Sequence, residues 1–175
     1  MNLHANPEYK VTVSVDLQLS DLLRANLWYR YSKASTKFSN AVAAVLTLLF
    51  AVFVYLDAIP AVYLLLPLGI WLLEVLIFLV IIIETKRNYA AVKDFQTHVN
   101  YQLNLEGYTV SDGKSSSNVS WDSILNAVES KHSLNLFLGR TLFVVLPKRC
   151  FKTDADLEMT RAILKTALPG KAKLG

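Results

Sequence analysis

Only one cysteine, Cys150, occurs among the 175 residues, so no disulfide can form within the chain, which fits a reducing compartment. Charge is scarce as well: 18% of residues are charged, against about 25% in an average soluble domain. The three histidines, His4, His98 and His132, lie far apart, and none stands in a metal-ligand spacing. There is no Gly-rich phosphate loop, no G-x-S-x-G and no Cys/His metal set. The expectation is a protein that is not an enzyme and carries no cofactor or metal. The first 20 residues hold no basic segment followed by an apolar run and a small-residue cleavage site, so no signal peptide is expected.

What is abundant is apolar surface. Hydrophobic residues make up 53% of the chain, and the mean hydropathy is +0.34. From Phe38 to Leu56 no residue is charged, which gives ~28 Å of helix at ~1.5 Å per residue, against a hydrocarbon core of ~30 Å. A second run from about Ala58 to Ile83 is interrupted only by Glu74. One central acid costs about 3 kcal/mol, while each Leu, Ile, Val or Phe returns roughly 0.3 to 0.6 kcal/mol, so insertion still wins. The spacing predicts two membrane spans, 38–56 and 60–83, joined by Asp57-Ala58-Ile59-Pro60. So short a link makes them antiparallel neighbours, with Pro60 in the first turn of the second helix, where its missing N–H costs nothing.

Ser39, Ala43, Thr47 and Ala51 recur every four residues on the first span. Such a stripe of small residues lets a second helix approach closely, with a leucine, Gly69 or Trp71 to fill it, although an Ala-rich run also produces the spacing by chance. Arg24, Arg30, Lys33 and Lys37 precede the first span, Lys86, Arg87 and Lys93 follow the second, and the connection has no basic residue. The positive-inside rule then places both ends of the chain in the cytoplasm, with Trp28, Tyr29 and Tyr31 as an aromatic belt. Glu74 is the one ionisable group at depth, with Asn40 and Thr47 within a turn of it. It reads either as a proton or ion site or as an acid that holds the helices together through a hydrogen bond or a second copy. Two helices enclose no pathway alone, which favours the second reading.

The remaining sequence reads as a small α+β unit. Residues 9–19 alternate, with Val11, Val13, Val15, Leu17 and Leu19 on one side, as in a half-buried strand. Ser20 is then a candidate N-cap for a helix from Asp21 to about Lys33. After the second span the helix continues to about Phe95, and alternation resumes from Thr97. Gly107 turns the chain, Tyr108 to Ser111 returns, and Asp112-Gly113-Lys114 with Ser115, Ser116 and Ser117 forms a loop tip. Strands are expected over 121–129, 134–138 and 141–146, and a final helix from about Asp154 to Leu168, capped by Thr153 or Asp154 and ended by Pro169-Gly170. The N-terminal strand should join this sheet, because an isolated strand is unstable. The expected organisation is thus a strand and helix over 1–37, a transmembrane hairpin over 38–83, and a β domain with a C-terminal helix over 84–175.

Two clusters carry a family resemblance. Trp121-Asp122-Ser123-Ile124 opens one strand, and Leu146-Pro147-Lys148-Arg149-Cys150-Phe151 leads from the last strand to the terminal helix. With Tyr101-Gln102-Leu103 and Glu106-Gly107, residues 97–168 resemble the YcxB-like family of bacterial membrane proteins. The resemblance implies two membrane spans on a cytoplasmic domain similar to bacterial pleckstrin-homology-like folds, in the bacterial inner membrane, with no established activity. Cys150 stands where a small residue is common in such families, and no redox meaning attaches to it. Trp121, Pro147 and Phe151 read as structural: Trp121 covers the end of a small core, and Pro147 ends the last strand because it cannot donate to a ladder. Lys148 and Arg149 are candidate contacts for a partner or for anionic headgroups, at about 1 kcal/mol each near a lipid surface. Alternatively they are solvated, or paired with Asp154 or Asp156.

The function expected from all this is a non-enzymatic, membrane-anchored interaction module that docks a partner protein or the inner leaflet. Its partners are membrane lipids and either a protein or further copies of itself, with no nucleic acid. The alternatives are an immunity protein guarding the membrane against a toxin and an accessory subunit of a transporter that uses Glu74.

Overall fold

In a computed structural model of the chain, residues 10–91, 98–139 and 142–175 are described. Tyr9, Lys93, the helix extension to Phe95, Thr97, Thr141 and His4 lie outside them. The chain divides into two units, Met1–Ala25 with Asn88–Gly175, and Asn26–Arg87. Both divisions fall inside helices, so they do not coincide with the edges of the apolar runs.

The first unit is α+β. β1 (Val11–Val15) buries Val11, Val13 and Val15 and exposes the residues between them, as its alternation demands. It pairs antiparallel with β2 (Val99–Leu103), from Val11 opposite Leu103 to Val15 opposite Val99. β3 (Gly107–Ser111) and β4 (Ser116–Ser120) complete a four-stranded antiparallel sheet in the order β1-β2-β3-β4. A second sheet runs β7-β6-β5-β8, from β5 (Asn126–Glu129), β6 (Ser133–Phe137), β7 (Phe143–Pro147) and β8 (Ala172–Lys173). The helix α4 (Asp154–Ala167) contributes Ile163 and Leu164 to a core shared with Leu103, Ile124, Leu134, Leu136 and Leu146, all fully buried. Thr153 caps α4 in a reciprocal capping box with Asp156, which satisfies two otherwise orphaned amides.

Several sequence expectations are corrected here. The N-terminal strand stops at Val15, and the helix α1 (Leu19–Ser32) starts before Ser20. Its start is fixed by Asp21, whose carboxylate accepts from the Gln18 amide at 3.0 Å. Ser116 and Ser117 belong to a strand and not to a loop tip. β4 is an edge strand, largely exposed, so it carries no hydrophobic alternation to betray it. The residues 121–123 form a 3₁₀ turn, with Ser120 accepting from the Asp122 amide, so the strand begins only at Asn126. β8 is a further strand, and it runs parallel to β5.

The second unit holds the apolar helices. α2 (Ala34–Tyr55) has 22 residues, and a 3₁₀ turn over 61–64 leads into α3 (Leu65–Ala91). The helices 34–55 and 61–91 are long and apolar enough to cross a membrane, and only 6% of the most apolar window of each is buried. α2 ends in a Schellman motif: the Ala58 amide donates to Phe53 O and the Asp57 amide to Val54 O, while Asp57 takes a left-handed φ of 52°. Pro60 is the residue before the 3₁₀ turn and not within the first helical turn. Pro67, near the start of α3, has no N–H for the Tyr63 carbonyl, which explains why the helix opens with a tighter turn.

Candidate functional site

In the helical unit, the polar residues expected at depth have specific partners. The Glu74 carboxylate lies 3.6 Å from Nη2 of Arg30, a charge contact too long for a hydrogen bond. Neither Glu74 Oε2 nor Arg30 Nε has a hydrogen-bond partner. A cavity of about 260 Å³ beside them is lined by Tyr31, Asn40, Trp71, Glu74, Val75 and Phe78. Asn40 therefore borders the same space as Glu74. Thr47 is one step removed: its hydroxyl donates to Ala43 O at 2.7 Å and accepts from Trp71 Nε1 at 3.0 Å. Of the small-residue stripe, Ala43 is buried, Thr47 half-buried, and Ser39 and Ala51 exposed. A Cβ at Gly69 would meet nothing within 4 Å, so Gly69 is not a point of close approach. A further polar contact, Asn26 Nδ2 to Thr85 Oγ1 at 3.1 Å, involves the buried Thr85, whose own hydroxyl donates to Ile81 O.

Arg30 was read from the sequence only as one of four flanking cations. What pointed to it is a physical requirement: a carboxylate in an apolar run needs a counter-charge or a proton, and Arg alone combines a long stem with a permanent charge.

In the α+β unit, Lys148 and Arg149 sit in a 3₁₀ turn over 148–150, directly after Pro147 has ended β7. Both are engaged in ion pairs within the chain. Lys148 meets the Glu129 carboxylate, and Arg149 donates from Nη2 to Asp21 Oδ2 and to Asp16 O, each at 2.6 Å. Their partners are thus neither Asp154 nor Asp156, the latter being held by Thr153 in the helix cap. Glu129 is the hub: it takes Lys148, two nitrogens of Arg161 and the Gly175 amide on one carboxylate whose side chain is 7% exposed. Burial disfavours its charged form, and the hydrogen bonds from Arg161 and Lys148 more than offset this, so the carboxyl is held down at about 2. The hydrogen bond from Arg149 to Asp21 raises the guanidinium pKa further, against a smaller effect of burial.

The structural motif residues gather in the core. Trp121 is 4% exposed, donates from Nε1 to Asn104 O at 2.9 Å, and lies 5.7 Å from the Tyr108 ring, which lies 6.1 Å from Tyr101. Burial, helped by Tyr101, pushes the Tyr108 phenol up to about 12, and burial raises Tyr101 as well. These phenols stay neutral packing groups. Phe151 packs against the same core, and Pro147 is fully buried. Gly107 is required where it is, because a Cβ there would lie 2.2 Å from Val119 O of the paired strand.

No group of His, Cys, Asp and Glu among the described residues is arranged to hold a metal ion. No curated protein and no solved structure matches the chain. Residues 103–163 match the family model described as YcxB-like protein. The match runs from the end of β2 into α4 and contains Trp121, Glu129, Lys148 and Arg161, so the side chains of the ion-pair hub fall within it, while Val11, Val13, Val15, Leu164 and Leu168 of the core lie outside. Over these residues the chain is similar to that family.

Proposed function

We propose that the protein is a non-enzymatic, membrane-anchored interaction module, in which a cytoplasmic α+β domain is fixed to the inner leaflet by a two-span hairpin. The observation that carries this reading is the pairing of β1 with β2 across the whole helical insertion. Two strands that share a ladder lie on one side of a membrane, so the chain between them crosses an even number of times. The two helices able to cross supply the pair. The cations flanking the spans put that side in the cytoplasm.

An antiparallel set of four strands, a second sheet led by three antiparallel strands and a closing C-terminal helix support a pleckstrin-homology-like description of the domain. The docking role assigned to that domain rests on analogy at the level of the fold. The Arg30–Glu74 contact favours a structural acid over a proton path, because the carboxylate is already engaged with a cation of the same helical unit. The reading is tested by photocrosslinking in native membranes followed by purification of the full-length chain. A stoichiometric protein, or adducts with further copies, is the expected result. Recovery of the chain with neither overturns the interaction role.

A further inference from the structure

The edge of β4 is unlike the other strand edges of the α+β unit. β1 has α4 and the 148–150 turn against it, β7 runs into Pro147, and β8 is two residues long. β4, Ser116–Ser120, has its five residues exposed or half-buried, with no charge, proline or bulge within it, and no described strand pairs with its outer side. These are the devices that natural sheets use to blunt an edge, and β4 lacks them.

The geometry of that edge is self-complementary. The Asp112 amide donates to Ser115 O across the turn, which sets the phase of the β3–β4 ladder. Ser117 and Val119 therefore direct their backbone N–H and C=O groups toward β3, and Ser116, Asn118 and Ser120 direct theirs outward. A two-fold axis at Asn118 would place Asn118 against Asn118 and Ser116 against Ser120, three residue pairs that all present free donors and acceptors. The same pairing brings Lys114, in the turn before β4, to the end of the partner strand that carries Asp122, in the 3₁₀ turn after it. Both are exposed, and neither is in an ion pair within the chain among the described residues. The opposite charges at the two ends of the strand favour the antiparallel pairing.

We infer that β4 is the interaction surface through which two copies of this chain pair, as antiparallel edge strands about Asn118. A five-residue edge is a weak contact in solution. Confining both copies to one membrane raises their effective concentration without any added contact. For that strength the inference rests on the anchoring proposed above, while the edge and its charges belong to the α+β unit itself.

The test uses the full-length chain in its membrane, in a Cys150→Ala background, with Asn118→Cys and a short bifunctional thiol reagent. Facing Cα atoms of a hydrogen-bonded antiparallel pair are about 5.5 Å apart, within reach of such a reagent. Asn118→Cys is expected to give a crosslinked dimer, and Lys131→Cys, on the β5–β6 turn, is expected to give none. Adding Lys114→Glu should lower the dimer yield by about tenfold, the effect of ~1.4 kcal/mol, and adding Asp122→Lys to that variant should restore it. Absence of a dimer, equal crosslinking at residue 131, or indifference to the charge changes overturns the pairing. Retention of the protein in carbonate-washed membranes is read on the same sample, so loss of anchoring and loss of pairing are told apart.

Discussion

Glu129 illustrates how one side chain organises the unit around it. Its carboxylate ties β5 to α4 through Arg161, to the 148–150 turn through Lys148, and to the chain beyond α4 through the Gly175 amide. Its pKa falls from 4.5 in the unfolded chain to about 2 in the fold, so its contribution to stability is complete above pH 4.5 and is lost as pH falls toward 2. We expect Glu129→Gln to cost about 2–3 kcal/mol at pH 7 by leaving Lys148 without its counter-ion and Arg161 with Glu158 alone. The difference between the variant and the wild type should shrink through that acid window. Unfolding midpoints of the solubilised chain at pH 7, 4 and 3 check it. Trp121 makes a second residue-scale prediction. Trp121→Phe keeps most of the buried ring and removes the hydrogen bond to Asn104 O, so a loss of about 1 kcal/mol is expected, against about 3–5 kcal/mol for Trp121→Ala. The residue scale is also where the sequence was hardest to read. Lys148 and Arg149 look like free cations in the string Pro-Lys-Arg. Their partners, Glu129 and Asp21, lie 19 and 128 residues away, beyond the reach of any local pattern.

Among the elements, those with a buried face were legible and those without one were not. β1 announces itself because Val11, Val13 and Val15 face the core in strict alternation. α4 does so through an amphipathic pattern behind Thr153 and Asp156. β4 has one paired side and no buried face, so a Ser-Asn sequence reads as loop although it forms a ladder with β3. The Trp121 turn misleads in the opposite way, because a buried aromatic next to Ile124 suggests a strand where the Ser120 cap makes a 3₁₀ turn. Capping also yields the element-scale prediction. Thr153→Ala removes the side chain that accepts the Asp156 amide, and should lower stability by about 1 kcal/mol while leaving the helix in place. Helical content by circular dichroism and the unfolding midpoint of the same variant separate the two.

For the molecule as a whole, the apolar runs and the returning strand were readable because their signals are long and one-dimensional: about 20 uncharged residues for a span, period two for β1. That β1 and β2 pair with each other was not readable from either strand, since 83 residues of insertion, 16–98, separate them. On the proposed membrane reading this pairing has a consequence, because a ladder closed across a membrane insertion fixes the parity of the crossings. Labelling from the two sides of the membrane tests that directly. In sealed, right-side-out vesicles carrying the Cys150→Ala chain, a cysteine at Ala58 and one at Ser117 are probed with a membrane-impermeant thiol reagent. The account predicts that Ala58→Cys reacts from outside and that Ser117→Cys reacts only after the vesicles are opened. Reaction of Ser117→Cys in sealed vesicles, or of both sites from the same side, would contradict it.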